Sequence, residues 1–351
     1  MDLNRRISDI DVLIFKHYRI VHGIRIATAF VLTLALTNSF QFAESTWILI
    51  TLVVVIGPIS YLGNVLPRAW HRTMGTLVGA VSGVVAIFLG QWSIFAMYAW
   101  CGAVMFCSAY FALGRHPYVW LLIGITLAVT MGAGNHDMEV ALWRGLDVTI
   151  GCVLAVLFCL IYPQRAFIHW RMRLGRTLEQ FAKIHRMSSS PNILEKPNME
   201  RYQQKLMKEM ITLRSLISPS TKESRLSGQL LEAIQVQLRN TLYSIELLNT
   251  SYWSDRNSHL NMLWSNPLNE CQKAIEQEFK ALSKLIITGR IASEHSGRDI
   301  EEAIQALKTS IPKIEGEEIS INGYLWLNLN LMEDLVNLKR LLIYSLNLSQ
   351  E

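Results

Sequence analysis

The sequence predicts an all-α protein: a six-span transmembrane helical domain followed by a cytosolic antiparallel helical bundle. Three observations lead there. From residue 20 to residue 163 only nine of 144 residues are charged and none is lysine, whereas the other 207 residues carry 52 of the chain's 61 charges. A sparsely charged half beside a charged half reads as a membrane domain joined to a soluble one. Within the apolar half the loop charges alternate. One set is basic, with Arg68 and Arg72, then Arg115, then Arg165, Arg171, Arg173 and Arg176; the other holds Glu44, Asp137 and Glu139 and no lysine or arginine. Basic loops stay cytoplasmic during insertion, so the alternation sets both the number of crossings and their direction. Beyond residue 163, apolar residues recur at helical spacing, and no alternating run is long enough for a sheet.

Residues 1–19 form a polar cytosolic segment with Arg5, Arg6, Lys16 and Arg19, and no cleavable leader is expected. A crossing needs roughly 20 apolar residues. Six stretches in the domain 20–163 answer to that: 20–38, 46–63, 73–90, 92–111, 118–132 and 140–162. Six crossings from a basic amino terminus place both termini in the cytoplasm. Trp47, Trp92, Tyr118, Trp120, Trp143 and Tyr162 fall near span ends, where interfacial rings prefer to lie. The third segment, 164–351, is the soluble one. Phe167, Trp170, Leu174, Leu178 and Phe181, with Arg171, Arg173 and Arg176 between them, read as a helix leaving the membrane along its surface. Ser188-Ser189-Ser190-Pro191 ends it. Further helices follow at Leu231, Ile234, Leu238, Ile245 and Leu248; at Ile275, Phe279, Leu282 and Ile286; and at Leu331, Leu335, Leu338 and Leu342. Pro219, Pro267 and Pro312, each within two residues of a serine, mark boundaries between them.

Composition excludes several classes. The net charge of +5 gathers at the membrane edge, which suits an anionic leaflet, and no nucleic-acid motif is present. Cys101, Cys107, Cys152, Cys159 and Cys271 have no metal-like spacing and read as small apolar groups. No HExxH, GxSxG or GxxxxGK[ST] pattern occurs, so neither an enzyme nor ATP-driven transport is expected, and no cofactor or metal is implied.

The chemistry-bearing candidates are charges within the apolar stretches, each of which costs on the order of 3 kcal/mol at a bilayer centre. Arg68 and Arg72 stand one turn apart, followed by Gly75, Thr76, Gly79 and Gly83. The glycines suit a close helix–helix seam; the arginines suit either anchoring or an anion-attracting mouth. Arg25 either snorkels to the interface or joins that pair. Arg144, with Asp147 three residues on and then Gly151, is either a self-neutralising pair or a gate coupled to substrate or protons. Pro58 frees a backbone carbonyl late in the second stretch, through packing or at a substrate path. His22, His71 and His116 read as structural residues at the cytoplasmic edge.

The stretches His17-Tyr18-Arg19-Ile20-Val21-His22-Gly23, Glu44-Ser45-Thr46-Trp47, Gly57-Pro58-Ile59-Ser60 and Ala141-Leu142-Trp143-Arg144 resemble the FUSC family of fusaric acid resistance and aromatic acid exporter-like inner-membrane proteins. The most specific element is Arg-x3-Arg-x2-Gly-Thr-x2-Gly, here Arg68, Arg72, Gly75, Thr76 and Gly79. Residues 162–170 and 323–328 continue the likeness, which covers essentially the whole chain. The resemblance implies export of aromatic or other organic acid anions across a bacterial inner membrane, with a periplasmic adaptor as a partner; the arginines, without matching intramembrane lysines or carboxylates, make Arg25, Arg68, Arg72 and Arg144 the expected substrate-binding groups. A more distant likeness to plant aluminium-activated malate channels implies a passive anion channel as the alternative. Having one six-span set where several relatives carry two, the chain is expected to pair with a second copy. A membrane-tethered interaction protein without transport activity is the remaining reading.

Overall fold

The computed structural model describes residues 7–40, 45–58, 60–132, 138–161, 163–189, 196–224, 226–253, 266–290, 300–310 and 319–346. Among them are fourteen helices and no strand, the one sheet-like contact being a parallel bridge between Tyr61 and Gln164. Two compact units result: Leu13–Arg165, and Met1–Val12 together with Ala166–Glu351. The chain enters through α1 (Asp9–Lys16).

The first unit holds α2 (Tyr18–Phe40), α3 (Thr46–Ile56), α4 (Leu62–Trp92), α5 (Ile94–Ala112), α6 (Pro117–Gly132) and α7 (Met138–Ile161). Of these, α2, α4, α5 and the 143–161 part of α7 are long and apolar enough to cross a membrane. The other two are apolar but shorter. At 1.5 Å per residue, the 11 residues of α3 span about 16 Å and the 16 of α6 about 24 Å, against a hydrocarbon core of about 30 Å. So the second expected stretch, 46–63, stops at Ile56. Gly57 takes φ +61°, a left-handed conformation that side-chain-bearing residues resist, and its N–H closes the helix on Val53 O at 2.9 Å. Pro58 follows outside the helix, so it frees no carbonyl within α3, contrary to the expectation drawn for it. The third stretch also needs correction. It begins at Leu62, eleven residues early, and Arg68 and Arg72 lie inside the 31-residue α4 rather than in a loop.

α4 is the central helix, touching α6, α7, α5 and α3. Its glycines set the closest approach. A Cβ on Gly75 would lie 2.7 Å from Leu122 Cβ and 2.8 Å from Val119 O, and one on Gly79 would lie 2.6 Å from Thr126 Cβ. One on Gly83 would meet Thr130 Cγ2 at 2.8 Å, so the Gly75–Gly79–Gly83 stripe with buried Thr76 is the seam on which α6 rests. Across α4, α3 and α7 close a core of Leu52, Val55, Ile56, Val65, Val148, Cys152, Ala155 and Cys159, with Ala29 of α2 against it.

The second unit is a helical bundle of α8 (Ala166–Ser188), α9 (Glu200–Ser215), α10 (Ile217–Ser224), α11 (Gly228–Tyr252), α12 (Asn266–Thr288), α13 (Ile300–Ser310) and α14 (Ile319–Ser345). α8 packs on α12, α10 and α9, and α11 on α14. The apolar residues read from the sequence are the core. Leu331, Leu335, Leu338 and Leu342 are fully buried, as are Ile275, Phe279 and Ile286. The surface role expected for α8 is corrected. Its Phe167, Trp170, Leu174, Leu178 and Phe181 stripe is buried against protein, and so are Arg171, His169 and His185. Arg171 is buried because it closes another helix. Its Nε donates to Ile286 O at 2.8 Å and its Nη2 to Ile287 O at 3.3 Å, reaching carbonyls that α12 leaves open at its carboxyl end, just before the left-handed Gly289. Glu223 serves the opposite pole of α8, accepting from Ala166 N at 2.6 Å.

Two tests follow from this packing. Gly75→Ala forces its new methyl into the α6 backbone and destabilises by about 1–3 kcal/mol. Gly102→Ala on α5, where a Cβ meets nothing within 4 Å, leaves the melting temperature of the detergent-purified protein unchanged. Burial also pushes His169 and His185 down to about 4 from an ordinary value of 6.5. Both are neutral in the fold, while the unfolded chain takes up protons below about 6.5, so stability is complete above that pH and falls between 6.5 and 4. Each histidine contributes a slope of about 1.4 kcal/mol per pH unit. Denaturant titrations of wild type and His185→Gln across that window measure the share of one histidine as the difference in slope.

Candidate functional site

α3 is where the first unit gathers its charge. Trp47, Thr51 and Val55 recur every four residues, so they share one face of the helix and cover about 12 Å along it. An arginine from another helix meets each step. Arg144 of α7 stands over the Trp47 ring, 4.3 Å from its centroid, in a cation–π contact. Arg72 of α4 donates from Nε to Thr51 Oγ1 at 3.1 Å. One turn earlier on α4, Arg68 donates from Nη1 to Ile56 O at 3.2 Å and Val55 O at 3.4 Å, meeting carbonyls left open at the end of α3. A Cβ on Gly57 would run into that same Nη1, a second reason for glycine there beyond its left-handed φ.

The row continues past the helix end. Arg25 of α2 donates from Nη1 to Ser60 Oγ at 2.7 Å, and Ser60 donates to Gln164 Oε1 at 2.9 Å. His22 Nδ1 lies 3.1 Å from the same hydroxyl. Ser60 therefore ties α2 to the residue pair that forms the bridge between 61 and 164. The Gln164 Nε2 amide is buried and has no hydrogen-bond partner among the described residues. A buried donor in that condition is costly, and it marks a place for an acceptor.

Three of the four arginines singled out in the sequence are thus brought onto α3, and the fourth, Arg25, lies past its end at Ser60. Arg25, Arg72 and Arg144 are buried and Arg68 is half-buried, so Arg25 turns inward rather than snorkelling to the interface. Asp147, one turn from Arg144 on the same face of α7, is buried too and is the one carboxylate among the described side chains of residues 13–165. Gly151, one turn further, lets α7 approach α3: a Cβ there would lie 2.8 Å from Ile48 O. Among these described side chains, four guanidiniums stand against one carboxylate. Glu44 and Asp137 lie outside the described residues, as do Arg5 and Arg6. His71 and His116 meet ring to ring at 5.5 Å. Sequence reasoning missed Thr51, Ser60 and Gln164. Thr51 is hidden in an apolar run and Ser60 in a Gly-Pro turn, and only the polar residue in each gives any signal.

Ser60→Ala removes the acceptor for Arg25, the partner of His22 and the donor to Gln164 together. It costs about 1–3 kcal/mol of stability, the range for leaving a buried polar partner unsatisfied. Thermal melts of the purified variant check this, with Ser39→Ala, whose hydroxyl bonds only within its own exposed turn, as the silent control.

Comparison with known proteins gives the relationships of the chain. Residues 19–344 match the model of the Fusaric acid resistance protein family. The chain is 38% identical over 350 residues to the inner membrane protein YeeA of Escherichia coli K12, covering 99% of both chains. It is 25% identical over 183 residues to the p-hydroxybenzoic acid efflux pump subunit AaeB of Escherichia coli O157:H7 strain EC4115, matching 48% of this chain and 28% of that one. The AaeB of Escherichia fergusonii is 27% identical over 158 residues, 41% of this chain and 24% of its own. The match to the efflux subunits therefore spans about a quarter of their length. With its apolar helices, its arginine row and a match over nearly its whole length, the chain belongs to the Fusaric acid resistance protein family.

Proposed function

We propose that this chain is an inner-membrane transporter that exports organic, chiefly aromatic, acid anions from the cytoplasm. The arginine row carries the reading: Arg144, Arg72 and Arg68 offer guanidiniums along α3 and Arg25 past its end at Ser60, so an anion passes from one cation to the next. Asp147 beside Arg144 is the gate, exchanging its hold on the guanidinium for that of the substrate. Family membership and the partial likeness to p-hydroxybenzoic acid efflux subunits support the direction and the substrate class.

In this reading all six apolar helices of the first unit are crossings, with both termini cytoplasmic. α3 is short for a crossing, yet a broken helix at membrane depth is tolerated where protein rather than lipid meets its open groups. Ile48, Leu52, Val55 and Ile56 are fully buried, and Arg68 meets the terminal carbonyls. A second copy completes the pathway, and a periplasmic adaptor carries the cargo onward. No nucleotide or cofactor enters the cycle.

The test is efflux of labelled p-hydroxybenzoate and a panel of related acids from cells lacking other exporters. Arg144→Gln and Arg72→Gln each lower efflux about tenfold, the loss of one charge-assisted contact, while expression and oligomer size hold. Normal efflux from both variants, or retention of every acid by cells making the wild-type protein, overturns the reading. Single-channel currents in a planar bilayer would replace the carrier with a passive channel.

A further inference from the structure

A groove of about 340 Å³ runs between α2 and α7, lined by Ile24, Arg25, Thr28 and Leu32 from the first and Phe158 and Ile161 from the second. The size is at the lower end of small-molecule sites. Its walls are apolar, and Ile24, Leu32 and Ile161 are exposed. Thr28 adds little polarity, since its hydroxyl donates within its own helix, to Ile24 O at 2.8 Å and Arg25 O at 3.1 Å. Arg25 is therefore the charged element among the lining residues, and it is set deep: only 8% of the residue is exposed, with Nη1 fixed on Ser60.

Shape and charge are ordered along the helix. Arg25 lies about 10 Å from the start of α2 at Tyr18, and the apolar lining continues to Leu32, about another 10 Å further on. α2 is long and apolar enough to cross a membrane, so this order sets a cation near one interface and an apolar channel toward the bilayer centre. A membrane-borne fatty acid has the same polarity, with its carboxylate at the interface and its chain inward. The deep setting of the guanidinium selects a compact acid group, because a phosphodiester with its glycerol is too bulky to follow Arg25 into the wall.

We infer that the α2–α7 groove binds a long-chain monocarboxylate, its chain along Ile24, Thr28 and Leu32 and its carboxylate on Arg25. This rests on the reading of Arg25 as an anion-binding group and names an acyl acid, taken up from the bilayer, as a ligand of the same arginine row.

A photoactivatable palmitate analogue added to the full-length protein in neutral-lipid nanodiscs tests it, with labelled peptides mapped by mass spectrometry. Labelling concentrates on residues 21–32 and 158–161, and unlabelled palmitate competes for it. Thr28→Trp, which fills the groove and keeps the Arg25 side chain, and Arg25→Gln each cut labelling about tenfold, the loss of one charge-assisted contact. The matching palmityl alcohol analogue labels the site weakly. Equal labelling by the alcohol, labelling spread over the other helices, or competition by phosphatidylglycerol stronger than by palmitate overturns the inference. Should Arg25→Gln fail to assemble, Thr28→Trp decides alone. Organic acid efflux without palmitate labelling removes this site and leaves the transporter, whereas labelling without efflux does the reverse.

Discussion

The first unit depends on one constraint: an 11-residue helix has one face buried against its neighbours, and the polar groups at the end of that face must be met by protein. A buried carbonyl without a donor costs on the order of 1–3 kcal/mol. Arg68 answers that demand at Val55 and Ile56, and Ser60 continues the chain of donors and acceptors to Arg25 and Gln164. The glycines are the counterpart of this arrangement. Gly75, Gly79 and Gly83 bring α6 onto α4, and Gly151 brings α7 onto α3, at distances no side chain permits. Close approach of helices and burial of guanidiniums are then one design, because the arginines reach α3 only when its neighbours lie this near.

The helical bundle solves the same problem independently with the same chemistry. Arg171 is buried in the middle of α8, at first sight an expensive place for a charge. It is kept there by two carbonyls at the end of α12. Burial still tells on it, drawing its pKa down to about 10, which leaves it charged at any physiological pH. Its opposite is the Glu278–Lys339 pair at 3.4 Å, where Glu278 is buried and its partner reaches it from α14. A guanidinium with fixed, planar donors suits helix ends better than lysine, whose single ammonium meets one acceptor as a point charge.

For function, the structure separates two roles that an arginine in a membrane domain can have. Each arginine of the row has a protein partner, so each is held in place. Held cations are what an anion pathway needs, since a preorganised guanidinium loses less entropy on binding than a mobile one. The row and the groove meet at Arg25, which belongs to the Ser60 node on one side and to the apolar lining on the other.

What the sequence determined by itself was local. A helix repeats every 3.6 residues, so the stripe Leu331, Leu335, Leu338 and Leu342 announced a buried face, and serine with proline near residues 219 and 267 announced helix boundaries, while those at 190 and 312 lie outside the described residues. Scarcity of charge announced the membrane part and set Arg25, Arg68, Arg72, Arg144 and Asp147 apart from everything around them. Tertiary structure decided the rest. The end of α3 at Gly57, hidden in a continuous apolar stretch, follows from a left-handed turn. The meeting of the arginines on that helix follows from contacts such as Arg72 with Thr51, 21 residues away, and Ser60 with Gln164, 104 away. Arg171 reads as a surface charge until α12, 115 residues on, supplies its acceptors. Periodicity and composition are sums over neighbours in the chain, whereas which guanidinium meets which carbonyl is settled by how whole helices pack.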